Sequence, residues 1–393
     1  MDYCNYKTIF FNVLFGFIFI AVSLCEAGKE PLRMGATVSL EGKYTETSFM
    51  IQNAYKLWVE QVNTRGGLLG RPVELILYDD KSDKDRVRSL YEKLITEDRV
   101  DFVLAPYGTP LTLVASEVSE RHGYVMVACA AAGEQIWDRG YRYIFGMHAL
   151  SKRYFIGYLD LLARNGIETM AILFENTSFN ITAARGAQQW ADRFGLTVEI
   201  NQGFESPHEF PGILQQLKAK NVDGLLFSAY PPECYKFIEL MKKAGYRPKT
   251  MAFAIAPALP GFHRRVGAYA DGVFGPSQWE ADKRIPFPGT VNFIDAFIRI
   301  SGKIPSYHAG GAYGSCQILE KVIIQTRSFD HEKIMNAIHS LDTVTVTGRF
   351  KVDHSGRQIG HNPIIIQWQK GKKEIVYPAQ MMTSRPQFNT TKD

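Results

Sequence analysis

Hydrophobic periodicity alternates along most of the chain. LRMGATVSL (32–40) is an apolar, β-rich run of strand length, and TSFMIQNAYKLWVEQV (47–62) repeats apolar residues at helical spacing. The same alternation continues through strand GRPVELILYDD, helix DRVRSLYEKLI, strand VDFVLAP, helix LTLVASEVSERHG and strand YVMVACA. After Met147 it restarts. Helix FIGYLDLLARNG leads to strand ETMAILFEN, helix TAARGAQQWADRFG, strand LTVEINQGF, helix FPGILQQLKAKN, strand VDGLLFSAY, helix PECYKFIELMKKAG and strand KTMAFAI. Repeated strand–helix units with short connections predict parallel, doubly wound sheets. Two successive runs predict an α/β protein of two lobes. DGVFGPSQW (271–279) reads as a passage back to the first lobe, followed by helices near 288–301, 308–327 and 331–339. The last segment turns to hairpins, with Lys370-Gly371 as a tight turn.

Length agrees, since 393 residues exceed one ordinary domain and suit two. The expected division is 28–147 with 278–340 as lobe 1 and 148–277 with 341–378 as lobe 2. A tail, 379–393, follows. Residues 1–27 differ from the rest. Lys7 precedes an apolar stretch of 17 residues, TIFFNVLFGFIFIAVSL, and Cys25-Glu26-Ala27-Gly28 supplies small residues at a cleavage point. This is the pattern of a cleaved signal peptide, and the body of the protein is expected outside the cytoplasm. A membrane anchor of the same length is the rival, and Val22-Ser23-Leu24-Cys25 faintly resembles a lipid-anchor signal.

Charge and cysteine usage mainly exclude. The net charge is +5, and loss of Lys7, Asp2 and Glu26 with the leader brings it to +6. Basic residues are scattered, so nucleic acid is not an expected partner. KGKK (Lys370 to Lys373) reads as a solvated turn. Cys129, Cys234 and Cys316 are far apart and form no metal pattern; buried thiols are the expectation. Asp79, Asp80 and Asp83 lack calcium-loop spacing and read as a strand end followed by a helix cap. Phosphate loops, dinucleotide fingerprints and hydrolase elbows are missing, so neither an enzyme nor a cofactor is expected.

Asn63 to Asp83, NTRGGLLGRPVELILYDDKSD, resembles a helix–turn–strand signature of type I periplasmic binding proteins, on the branched-chain amino acid and amide branch. DFVLAPYGTPLTLVAS, VACAAAGEQIW, YRYIFGMH and the terminal GRFKVD…GRQIG…PIIIQWQKG resemble successive parts of that family in order. The resemblance implies a hinged, non-enzymatic solute receptor of an ABC importer. It also implies a small-molecule ligand, membrane permease subunits as partners and a monomeric state. A ligand-sensing receptor with a separate signalling partner is the alternative.

Within that frame the candidate site can be assigned. VMVACAAAGEQIW (125–137) places Ala130, Ala131 and Ala132 between a strand and what reads as a helix start, where bare N–H groups can hold a carboxylate. The family often has Ala-Ala-Thr there, and Gly133 stands in place of the hydroxyl. Thr109 matches a Ser or Thr that contacts ligand in relatives, and it also suits a helix cap. Phe179 and Tyr230 match aromatic contacts of the second lobe. Tyr44, in the loop after the first strand, is a further candidate. Amino-acid binders carry an acid after the strand that ends here at Ile255. This chain reads Ala256-Pro257-Ala258-Leu259-Pro260 instead. The ligand expected is therefore an aromatic or branched carboxylic acid, or an amide. An amino acid would require Glu41, Glu175 or Glu280 as counter-charge.

Overall fold

The computed structural model describes residues 29–285 and 287–388. The expected leader, with Cys25, lies outside them. The first half contains β1 (Leu32–Val38), α1 (Thr45–Thr64), β2 (Val73–Asp79), α2 (Lys84–Thr96), β3 (Phe102–Val103), α3 (Gly108–Arg121), β4 (Met126–Ala128) and β5 (Ile144–Gly146). The second contains α4 (Ile156–Arg164), β6 (Thr169–Glu175), α5 (Ser178–Phe194), β7 (Thr197–Phe204), α6 (Phe210–Lys220), β8 (Gly224–Ser228), α7 (Pro231–Lys243), β9 (Thr250–Phe253), α8 (Phe262–Val266) and β10 (Val273–Ser277). Helices α9 (Thr290–Ser301), α10 (Tyr307–Thr326) and α11 (His331–Ser340) follow, then β11 (Asp342–Thr345), β12 (Gly348–Lys351), β13 (Ile364–Gln369) and β14 (Lys372–Tyr377).

The second half holds one seven-stranded sheet, ordered β14-β13-β10-β9-β8-β6-β7. Its centre is parallel, and β13 and β14 add an antiparallel edge. All five residues of β8 are buried, as expected of a parallel strand covered on both faces. Phe227 from this strand stacks on Phe237 of α7 at 4.5 Å. The first half is parallel too, but its sheet divides into β2-β1-β3 and β4-β5. Side chains take the acceptors at the end of β3. The Tyr91 hydroxyl donates to the Leu104 carbonyl at 2.6 Å, and the Tyr55 hydroxyl to that of Ala105 at 2.8 Å.

The aspartates after β2 act as read from sequence. Asp83 caps α2 by accepting from Arg86 N. Buried Asp80 accepts from Thr37, Ser39 and Ser82, tying the loop after β2 to β1. Cys129, Cys234 and Cys316 are buried free thiols. Lys370 and Gly371 take φ of 51° and 75° in the hairpin turn between β13 and β14.

The expected division needs one correction. Hairpin β11–β12, assigned to lobe 2, lies instead on helices that pack with the first half. Val346 N donates to Gln317 Oε1 of α10 at 3.1 Å, and Thr290 of α9 donates to the Val346 carbonyl at 2.7 Å. Only β13 and β14 of that stretch join the second sheet.

Segments 147–150, 278–285 and 352–363 run between the halves. Gln278 Oε1 accepts from Ala149 N at 3.0 Å, and Gln358 Nε2 donates to the Met147 carbonyl at 3.2 Å. Helix α10 packs closely against these crossings through Gly310, Gly311 and Gly314. A Cβ at Gly311 would run into the Cys129 carbonyl and the His148 ring. Gly311→Val should therefore cost about 3 kcal/mol by overpacking. Chemical denaturation checks this, and an unchanged midpoint would show that α10 can move away.

Candidate ligand-binding cleft

A small space lies where the halves meet. The first half contributes Tyr107, Gly108, Thr109, Ala130 and Ala132, and α10 adds Tyr307 and His308. The second half contributes Tyr154, Phe179, Tyr230 and Ile255. The space measures about 10 Å³, roughly the room of one water. The halves are thus closed on each other.

One wall consists of small side chains and backbone N–H groups. Helix α3 starts at Gly108, which lines the space together with Thr109, and the first N–H groups of a helix lack partners within it. Gly108 N donates to the Ala130 carbonyl at 3.2 Å, and Gly133 N to Thr109 Oγ1 at 3.0 Å. These bonds hold the two small-residue loops side by side. The Thr109 hydroxyl accepts from Gly133 and keeps its own proton to give. The N–H groups of Thr109, Ala130 and Ala132 donate to no other described residue.

The expected helix after Gly133 is a single 3₁₀ turn, Glu134–Ile136. The Glu134 carboxylate is held by Ser151 Oγ at 2.6 Å and Lys152 N at 3.0 Å, and the chain turns at Gly140. A turn this short carries little dipole, so on this wall the helix that begins at the lining is α3. Ala130 and Ala132 line the space. Ala131 is buried behind the lining, with its side chain out of reach.

The other walls are aromatic. The Tyr230 ring lies 4.9 Å from Tyr44, 6.1 Å from Tyr107 and 6.3 Å from Phe179. Tyr230 spans the halves, and a Cβ on Gly108 would sit 3.5 Å from its hydroxyl. That hydroxyl is buried without a hydrogen-bond partner among the described residues. Burial also drives its pKa well up, so it stays a donor. Tyr44 packs on Tyr107 and Tyr230 from outside the lining.

Sequence reading missed Tyr107, Tyr154, Ile255, Tyr307 and His308. Ile255 is the most unusual of these, a β-branched residue at φ 31°. Such strain costs on the order of 1–3 kcal/mol and tends to collect at ligand sites. His308 stacks on Tyr307 at 3.9 Å and meets Ser306 Oγ through Nδ1 at 3.1 Å. Burial pushes its pKa down to about 3, so the ring is neutral.

Acidic side chains are missing from the lining. Each carboxylate considered as a counter-charge already holds a lysine. Glu175 pairs with Lys43, Glu280 with Lys373 at 2.5 Å, and exposed Glu41 with Lys81 at 3.3 Å.

Two α/β halves, three linking segments and a cleft between strand ends define a solute-binding protein. Residues 31–373 match the family model for periplasmic binding proteins. The chain therefore belongs to that family, in its type I form on the Leu/Ile/Val-binding branch, and is a binding protein rather than an enzyme. It is 21% identical over 386 residues to Leu/Ile/Val-binding protein homolog 7 of Brucella suis, across 92% of this chain and 96% of that one. Its fold is similar to LivJ, the branched-chain amino acid substrate-binding protein of Streptococcus pneumoniae in complex with isoleucine. The TM-score is 0.80 at 17% identity, over 89% of this chain and 100% of the other. A solute-binding protein of an R. palustris ABC transporter in complex with benzoate is similar at TM-score 0.77 and 16% identity, over 88% and 95%.

Proposed function

We propose that this protein captures a small carboxylic acid with an apolar, aromatic or branched body and no amino group. It does so in the periplasm, after cleavage of residues 1–27, and delivers the acid to the permease of an ABC importer. The ligand carboxylate meets the N–H groups at Thr109, Ala130 and Ala132 and the hydroxyls of Thr109 and Tyr230. Tyr107, Tyr154, Phe179 and Tyr307 cover its body.

The observation that carries this reading is the missing counter-charge. A ligand ammonium in this lining would be buried among tyrosines, alanines and a neutral histidine, at a cost of several kcal/mol. A carboxylate meets donors only. The solved relatives show that related folds serve both classes, one holding isoleucine and another benzoate.

Titration calorimetry on matched pairs tests it. 4-Methylpentanoate should bind at least about tenfold tighter than leucine, and 3-phenylpropanoate than phenylalanine, given the cost of an unpaired ammonium. Tighter binding of the amino acids would reverse the assignment.

A further inference from the structure

Lys43, in the loop after β1, lies behind the cleft-lining Tyr230. Its ammonium crosses to the second half, where it bonds Glu175 Oε1 and lies 3.3 Å from Glu233 Oε2. It also sits 5.2 Å over the ring of Tyr230. The other oxygen of Glu175 accepts the Tyr230 backbone N–H at 3.1 Å. One carboxylate thus holds both the lysine and the backbone of a residue that lines the cleft.

The charge balance is close. Two carboxylates face one ammonium, leaving one negative charge. Glu233 lies in the first turn of α7, whose N-terminus offsets part of it. Glu175 is only 6% exposed, so without Lys43 it would be a buried carboxylate in need of a cation.

Two carboxylates and an aromatic face are what a ligand ammonium would require. We propose that Lys43 is a specificity-determining residue: its side chain occupies, from within the protein, the place a ligand amino group would take. The cleft is thereby closed to α-amino acids and left to simple carboxylic acids. The same bond spans the halves and helps hold them together.

This inference rests on the carboxylic-acid reading above, and calorimetry separates the two. The variants are Lys43→Met and, as a second neutral replacement, Lys43→Gln, each checked for folding by circular dichroism. Leucine and phenylalanine should gain about tenfold or more in affinity over wild type, the worth of one charge-assisted hydrogen bond. The gain should vanish in Lys43→Met/Glu175→Gln, and Lys43→Arg should behave as wild type. Folded Lys43→Met or Lys43→Gln protein that binds the amino acids no better than wild type overturns the role of Lys43. Preference of the wild type for the amino acids instead overturns the carboxylic-acid reading itself.

Discussion

Ala132→Leu should abolish ligand binding, with a loss of about 100-fold or more, in a protein that still folds. Ala132 faces the space of about 10 Å³, where no volume is spare for a larger side chain. Leucine adds a branched side chain where the ligand must lie, and overpacking of this kind costs typically 1–3 kcal/mol. Opening of the cleft relieves that strain, so the penalty falls on the closed, ligand-holding state. The Ala132 carbonyl keeps its bond from Ser151 N at 2.8 Å, so the local chain path survives. Ala131→Leu makes the contrast. Ala131 is 1% exposed and lies behind the lining, so its replacement should lower thermal stability first and affinity only as a consequence. Calorimetry with 3-phenylpropanoate and melting curves of both variants decide it. Undiminished binding by Ala132→Leu would place the ligand elsewhere.

The fold was legible because it is written locally. Each strand–helix unit carries its own period, and the connections are short, so parallel order follows with few alternatives. The division of the first sheet was not legible, since strand pairing is a long-range property that local periodicity does not carry. The turn at Glu134 shows a nearer limit. AAAGEQIW reads as a helix start, but Asp138-Arg139-Gly140 ends it within a turn, and Gly140 adopts φ 72°. The small-residue wall could be read because alanine, glycine and threonine before a helix have few other uses. The aromatic shell could not. Tyr107, Tyr154 and the adjacent Tyr307 and His308 stand in three separate segments, each reading as ordinary core, and only the tertiary fold brings them together. Lys43 was equally silent, because its partners lie 132 and 190 residues away in sequence.

His148→Met should make the protein more resistant to acid, by about 2 kcal/mol at pH 5 relative to pH 7. His148 lies on the first segment linking the halves, and both its ring nitrogens are buried without hydrogen-bond partners among the described residues. Burial, then the neighbouring His361 and His308, holds its pKa well below 6.5 in the folded protein. The unfolded chain takes up a proton near 6.5 and the folded chain does not. Stability is therefore fully present above that value and drains away as pH falls below it, at about 1.4 kcal/mol per unit. Buried carboxylates with raised pKa, Glu175 and Glu280, act in the opposite direction. They are common to both proteins, so the difference between wild type and variant isolates the histidine. At pH 7 the variant should be at least as stable as wild type, since it removes a buried polar ring that satisfies neither nitrogen. Urea denaturation of both at pH 7 and pH 5 gives the two differences. Parallel losses on acidification would mean that His148 is protonated in the folded state. The charge would then sit in the packed junction of the linking segments, where the neighbouring His361 and His308 disfavour it.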